Sequence, residues 1–355
     1  MGFVTAVPSV RRTQARTEAR PIQRAALLIS LMVAVVVVPS VFGGANVAGA
    51  GATPGSDAAM LDRLVAAYHE PGIEPSRRAW GELVADDGFA TAPVDVLEFV
   101  KLKRSHGAKA RYDRYVTALT AALGPRGAAM ITVNDTLHPG IGDFRGYAGG
   151  VSWLARFPSL GAYVDTVLDR RVVAASRQRR KAIAEAQTLV GPNAVPDRIQ
   201  NLPPNTPASA FPSSRVQGKT PEQIVDELLA IYPDGGADPT RATLEFLTRY
   251  RGFTDQPLTY INLYEYGPET GGAASLNEYN AGALPIVLAH GGRPKSLVNI
   301  AHHLVGPTAW SRFIVVSWPS FAVFTDLRLD PAYVEAQRSR VVAAKTYGNL
   351  VTISR

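Results

Sequence analysis

The chain contains no cysteine among its 355 residues. Disulfides, thiolate nucleophiles, Cys-ligated zinc and iron–sulfur clusters are therefore excluded. It also has no His-Glu-x-x-His pair, no Gly-x-Ser-x-Gly elbow, no Walker loop and no glycine fingerprint joining strand to helix, so the short motifs that carry the most specific chemistry are missing. Charged residues make up only 19%, against 46% hydrophobic, and the 31 glycines and 26 prolines follow no period. That composition excludes collagen-like and wholly disordered chains and fits a globular body.

The net charge of +7 is unevenly spread: residues 1–56 hold Arg11, Arg12, Arg16, Arg20 and Arg24 against Glu18, a net of +4, which leaves +3 for the other 299 residues. A phosphate-backbone footprint needs a concentrated basic face. The one candidate, Arg170, Arg171, Arg177, Arg179, Arg180 and Lys181, reads as a solvated helix face, so no nucleic-acid partner is expected. After the arginines, residues 25–44 carry no charge, and the next charged residue is Asp57. Basic, apolar and small-residue stretches in that order describe a secretory signal, with Ala48-Gly49-Ala50 as a cleavage site. Extended through Phe42, the apolar core approaches the roughly 20 residues that span a bilayer, so a cleaved signal and an uncleaved anchor are both open. Either way the arginine bias puts the body outside the cytoplasmic membrane, and the membrane is a partner through this segment alone.

Residues 61–93 align without a gap on 225–257 at a constant offset of 164, with eleven identities in 33 positions, among them Asp62/Asp226, Tyr68/Tyr232, Arg77/Arg241, Gly88/Gly252, Phe89/Phe253 and Pro93/Pro257. The offset continues through Tyr115/Tyr279 and His138/His302, then becomes 161 at Pro158/Pro319, Arg177/Arg338 and Arg179/Arg340. A fixed offset over this length is the mark of an internal duplication. It divides the chain into residues 1–56, a first repeat at 57–190, a Pro- and Ser-containing linker at 191–220 that reads as extended rather than packed, and a second repeat at 221–355.

Each repeat reads alike. Helical spacing covers Met60 to Tyr68 and Thr220 to Tyr232, and a second helix opens at Pro75 or Pro239. Strands follow at Val94 to Leu102 and Leu258 to Tyr266, then a helix over Ala110 to Leu123 or Leu276 to Ala289. Strands over Ala129 to Leu137 and Gly150 to Phe157 (Leu297 to Leu304 and Arg312 to Trp318) precede helices filling 159–187 or 320–344, and a short last strand sits at Thr188 to Val190 or Gly348 to Ile353. With the leading helices set aside, each repeat is β-α-β-β-α-β, an α+β ferredoxin-like order. The glycines from Gly140 to Gly150 precede a strand, so they read as a mobile hairpin loop able to act as a lid.

The run Tyr112-Asp113-Arg114-Tyr115, then Gly127, Phe157-Pro158-Ser159 and a helix ending in Arg177 and Arg179, resembles the domain of unknown function 1330 family, as do Glu278-Tyr279, Gly291-Gly292, Trp318-Pro319-Ser320, Asp330-Pro331-Ala332-Tyr333 and Arg338. The resemblance covers the ferredoxin-like part of each repeat. It implies the dimeric α/β-barrel superfamily, in which two such units put their sheets face to face, and whose members include cofactor-independent monooxygenases, haem-handling enzymes and isomerases. Two copies in one chain imply that the barrel forms within the chain.

Along Leu258 to Tyr266, Tyr260, Asn262, Tyr264 and Tyr266 share one face and Ile261 and Leu263 the other. Placing the apolar residues against helices leaves Tyr260, Asn262 and Tyr264, with Glu98 of the first repeat, facing the partner sheet as ligand-binding and acid–base candidates. His138 and His302 are matched and are further catalytic candidates; His303 lies beside His302, but neighbouring strand residues point oppositely and cannot readily share one ion. No cofactor is expected, with haem or a metal left open. Two function classes follow: a metal-free monooxygenase-like or isomerase-like enzyme with a small-molecule pocket, and a non-catalytic envelope binding or scaffold protein whose barrel is filled by side chains. An open polar cavity near Glu98 and Asn262 would mark the first, a filled barrel the second.

Overall fold

A computed structural model describes residues 54–355 apart from 89, 143, 196–198, 200–207, 234–237, 268–270, 308 and 309. The signal or anchor segment with its cleavage site, and Phe89 of the repeat, lie outside the described residues. The first strand of each half forms at the expected bounds, β1 at Val94–Leu102 and β5 at Leu258–Tyr266. Each follows a proline and is rich in the β-branched, aromatic and leucine side chains that suit a pleated surface. The lead-in helices are α1 (Pro54–Ala67) and α2 (Arg77–Val84), matched by α6 (Pro221–Ile231) and α7 (Arg241–Thr248). Thr220 and Gln223 form a reciprocal capping box at α6. Helices α2 and α7 begin two residues later than their prolines suggest, because Ser76 and Thr240 stay extended and accept the amides of Ala79 and Thr243.

Elsewhere tertiary pairing overrides local pattern. Helix α3 (Ala108–Leu123) and strands β2 (Ala129–Ile141) and β3 (Val151–Phe157) follow β1. The helical stretch expected over 159–187 is two helices, α4 (Leu160–Val167) and α5 (Arg170–Ala182), separated at Asp169, whose carboxylate caps α5 by accepting the Arg171 amide. Strand β4 (Ile183–Gly191) starts five residues earlier than expected because Ile183, Glu185 and Ala186 pair with β1. The second half repeats the pattern with α8 (Gly272–Ala289), β6 (Arg293–Asn299), β7 (His302–Val305), β8 (Arg312–Trp318), α9 (Phe321–Arg328), α10 (Pro331–Ala343) and β9 (Ala344–Ser354). Linker residues that are described pack rather than extend: Val216 is buried with Ile224 and Leu228, and Arg215 pairs with Asp326 at 2.8 Å and Asp330 at 2.9 Å.

All nine strands join one antiparallel sheet in the order β6-β8-β5-β9-β2-β3-β1-β4-β7. Within it, β2-β3-β1-β4 and β6-β8-β5-β9 are two four-stranded blocks with the same internal order. The far part of β2 pairs with β9, from Asn134 opposite Ser354 to Ile141 opposite Asn349. Reciprocally, β7 pairs with β4, and Ala194 and Ala301 donate backbone bonds to Leu297 and Val190. Since β6 and β7 are neighbours in the chain, these contacts bring the two ends of the sheet together, removing exposed edges.

The closed sheet has an inner face and a helix-covered outer face. Leu97, Phe99, Leu154 and Leu189 meet Ile261, Leu263, Phe313, Val315 and Leu350 inside, with Phe144, Tyr147 and Trp310 filling the remaining space. Val96 and Val100 pack outward with Tyr112 and Leu119, and Tyr260 and Tyr264 outward with Leu276 and Tyr333. The strand faces are thus reversed from the sequence expectation: Tyr260, Asn262, Tyr264 and Glu98 lie beneath helices. Both faces are buried, so alternation alone does not distinguish them. Beneath the helices Glu98 accepts from Tyr112 and Arg179, and Asn262 from Tyr347 and Asn349, as buried polar groups require.

The glycine-rich loop after β2 also differs from expectation. It is pinned inward by buried Phe144 and Tyr147, whose rings meet Phe99 at 5.8 and 5.5 Å between centroids. Gly142 turns the chain with φ of +82°, and a Cβ on Gly150 would lie 2.1 Å from the Val100 carbonyl oxygen. Replacing Phe313 by Ala opens this interior and should cost about 3–5 kcal/mol in urea unfolding. A loss under about 0.5 kcal/mol, as expected of a surface position, would contradict a packed inner face.

Candidate functional site

Glu98 lies at the middle of β1, opposite Trp153 of β3 and Thr188 of β4. Its carboxylate accepts hydrogen bonds from Arg179 Nη2 at 2.7 Å, Tyr112 Oη at 2.6 Å, and Trp153 Nε1 and Thr188 Oγ1 at 3.2 Å. Arg179 also donates to the Ile73 carbonyl at 2.8 Å, and both charged side chains are only 4% exposed. Nearby, Arg180 pairs with Glu74 at 3.2 Å, and Glu74 accepts the amides of His69 and Glu70. Two guanidinium groups therefore face two carboxylates. Burial, followed by the charge of Glu98, pushes the Tyr112 hydroxyl well above its ordinary value, so it stays a donor. With four side-chain donors around it, Glu98 serves as the anchor of a closed structural network rather than as an exposed base.

The matched place in the second half is built differently. Asn262 replaces Glu98 and accepts Tyr347 Oη at 2.5 Å and Asn349 Nδ2 at 2.9 Å. Arg340, matched to Arg179, bonds to Gln337, donates to Asp238 at 3.2 Å and lies 4.7 Å from the Tyr347 ring centroid. Gln337 donates to Tyr279 Oη at 3.2 Å, and Tyr279 shares a hydroxyl–hydroxyl bond of 2.9 Å with Tyr333. Arg328 sits 3.7 Å above the Tyr232 ring, with Nη2 at 3.5 Å from Asp238 and making no hydrogen bond. Tyr260 stacks on Phe324 at 4.2 Å between centroids, and the Tyr264 ring lies tilted against Tyr347 at 4.9 Å. Burial raises the hydroxyls of Tyr264 and Tyr279 well above the ordinary tyrosine value, neighbouring tyrosines adding to the shift. The layer beneath α8, α9 and α10 thus joins neutral phenols and amides to two guanidiniums that share one described carboxylate, Asp238.

Of the sequence-derived candidates, Tyr260, Asn262 and Tyr264 enter this cluster, and Glu98 belongs to the separate first-half network. The histidines join neither. His138 stacks on Phe246 at 4.4 Å with its Nδ1 unbonded, and burial holds its imidazole below the ordinary range. His302 bonds to Asp86 at 2.8 Å and His303 to the Trp310 carbonyl at 2.6 Å. Among the described residues no cluster of three or more His, Asp or Glu is arranged to hold a metal, and no helix is long and apolar enough to cross a membrane. Gln337, Tyr347, Arg328 and Asp238 stand in no motif of the sequence, whereas Tyr333 closes the Asp330-Pro331-Ala332-Tyr333 run of the family resemblance. Asp238 was the accessible one, since the 164 offset sets it opposite Glu74.

The first-half network has a direct energetic consequence. Glu98→Gln leaves Arg179 buried without its counter-charge and should lower unfolding free energy by about 3–5 kcal/mol, while the double change Glu98→Leu with Arg179→Met should recover most of it. Equal losses in both variants would mean that packing, not charge, dominates there.

No protein-family profile matches the chain, and no curated protein matches it. Among solved structures, a proposed monooxygenase from Lactobacillus acidophilus NCFM shares 8% identity over 74% of this chain and 94% of its own, with a TM-score of 0.42. A mutant chlorite dismutase from Candidatus Nitrospira defluvii shares 13% over 77% of this chain and 94% of its own, at 0.39. A protein of unknown function from Rhodopseudomonas palustris shares 26% over 33% of this chain and 95% of its own, at 0.30. Superpositions this loose assign no activity to the chain.

Proposed function

We propose that the chain is an exported or membrane-tethered small-molecule protein in which two tandem ferredoxin-like halves form one barrel within a single chain. In this reading the second half carries the ligand site, beneath its helices around Tyr260, Asn262, Tyr264, Tyr347 and Arg340. The activity class is the one implied by the family resemblance, monooxygenase-like or isomerase-like chemistry without a metal. The observation that carries it is the divergence at one matched position. Glu98 closes the first half with a satisfied ion pair, whereas Asn262 leaves the second half with phenol, amide and guanidinium groups held in an apolar layer, the mix of few polar groups on apolar walls that ligand sites share. Tyrosine hydroxyls kept protonated by burial could hold or pass a proton at an oxygen of the ligand.

The second reading, a non-catalytic envelope binding or scaffold protein, draws support from the filled inner face built on Phe99, Phe313 and Trp310. Export draws its support from the arginine-rich start and the uncharged stretch at residues 25–44.

Native mass spectrometry and absorbance spectra of the full-length chain, gently purified, test the choice. A co-purified organic molecule lost on Asn262→Leu with Tyr264→Phe, while the fold persists, is the expected result. A bare polypeptide whose Asn262→Leu variant is destabilised by about 1–3 kcal/mol, through the stranded donors of Tyr347 and Asn349, would favour the scaffold.

A further inference from the structure

We infer that the buried guanidinium of Arg312 and the hydroxyl of Tyr266 form a binding site for a small monocarboxylate, where β8 begins and β5 ends. The site stands on its own residues, whatever the layer around Asn262 binds. Arg312 opens β8 opposite Tyr264 of β5 and Asn299 of β6, and it is only 2% exposed. Its Nε donates to Asn299 Oδ1 at 2.8 Å and its Nη1 to Asn277 Oδ1 at 2.9 Å, and its Cζ lies 5.6 Å from the Tyr266 ring centroid. Among the described residues Nη2 makes no hydrogen bond and no carboxylate pairs with this guanidinium. A buried cation that meets only amide oxygens and a ring face is costly to hold without a counter-ion, and burial draws Arg312 below its ordinary value.

The matched place in the first half carries the opposite charges. At the 164 offset Asn277 and Asn299 stand where that half has Asp113 and Asp135, and Val151 lies opposite Asp135 as Arg312 lies opposite Asn299. Both aspartates are neutralised, by Lys109 at 3.3 Å and by Arg355. The second half thus has amides at both carboxylate positions and a guanidinium at the valine position, a cation without the acids that would balance it. The Tyr266 hydroxyl is also buried without a partner. Burial pushes it up to about 12, against the pull of the Arg312 charge, so it stays a donor. An unbonded guanidinium nitrogen and an unbonded phenol both call for an acceptor. A carboxylate matches the planar guanidinium edge and its single charge, whereas a phosphate brings more negative charge than one guanidinium balances. Asn277 and Asn299 are themselves exposed, so the place is reachable from solvent.

The test uses the full-length chain in mild detergent, with thermal melts in sodium acetate, in sodium chloride at equal concentration and in neutral acetamide. Acetate should raise the melting temperature by about 2 °C or more and saturate, while chloride and acetamide should not. Arg312→Met removes the charge and keeps most of the volume, so it should abolish the acetate shift without lowering the ligand-free melting temperature. Asn299→Asp, which restores the first-half carboxylate beside Arg312, should raise the ligand-free melting temperature and weaken the acetate shift. Asn262→Leu should leave that shift in place, which separates this site from the ligand reading above. An acetate shift no larger than that of chloride, or one that survives Arg312→Met, overturns the inference. Should Arg312→Met fail to fold, Asn299→Asp decides: a lower melting temperature with an unchanged acetate shift overturns it equally.

Discussion

The ladder that joins β2 to β9, together with its counterpart between β4 and β7, is the constraint on which the rest of this structure depends. Each four-stranded block has two apolar faces but helices enough to cover only one. Left apart, each would expose Leu97, Phe99 and Leu154, or Ile261, Phe313 and Leu350, to water, at a cost of about 25 cal/mol for every Å² of apolar surface. Pairing through the long second strand puts these faces against each other. A single chain then obtains the closure that separate units would reach only by associating.

Closure also decides where chemistry can be located. The interior is packed mainly with leucine, phenylalanine and tryptophan, and Glu98 and Asn262 lie on the opposite strand faces, in the helical layer. There the halves part. Glu98 and Arg179 neutralise each other within a fully bonded network, while Asn262 joins Tyr347 and Asn349 in a layer of phenols and amides.

The elements were largely legible in the sequence because proline, helix caps and alternation mark them locally; β1 and β5 begin after Pro93 and Pro257 and run to their expected ends. Pairing-dependent features were not. Strand β4 takes in Ala184-Glu185-Ala186, residues whose own preference is helical, since β1 offers Ile183, Glu185 and Ala186 a ladder. The residues of the site were partly legible: alternation grouped Tyr260, Asn262 and Tyr264, but could not say which face the barrel turns inward, because both are buried. Arg328 and Tyr347 gave no signal at all, since their partners lie 90 and 85 residues away along the chain, at Asp238 and Asn262. Only the matched offset, read through to Glu74 and Asp238, points to Asp238.

Native-state amide hydrogen exchange tests most directly whether the two halves close on each other within one chain. In dilute full-length protein, the amides that bond across β2 and β9, along Asn134–Ile141 and Asn349–Ser354, should exchange only with the slowest, global opening, at a rate independent of protein concentration. Rapid exchange of this ladder while β1 and β3 stay protected, or protection that grows with concentration, would contradict closure within the chain.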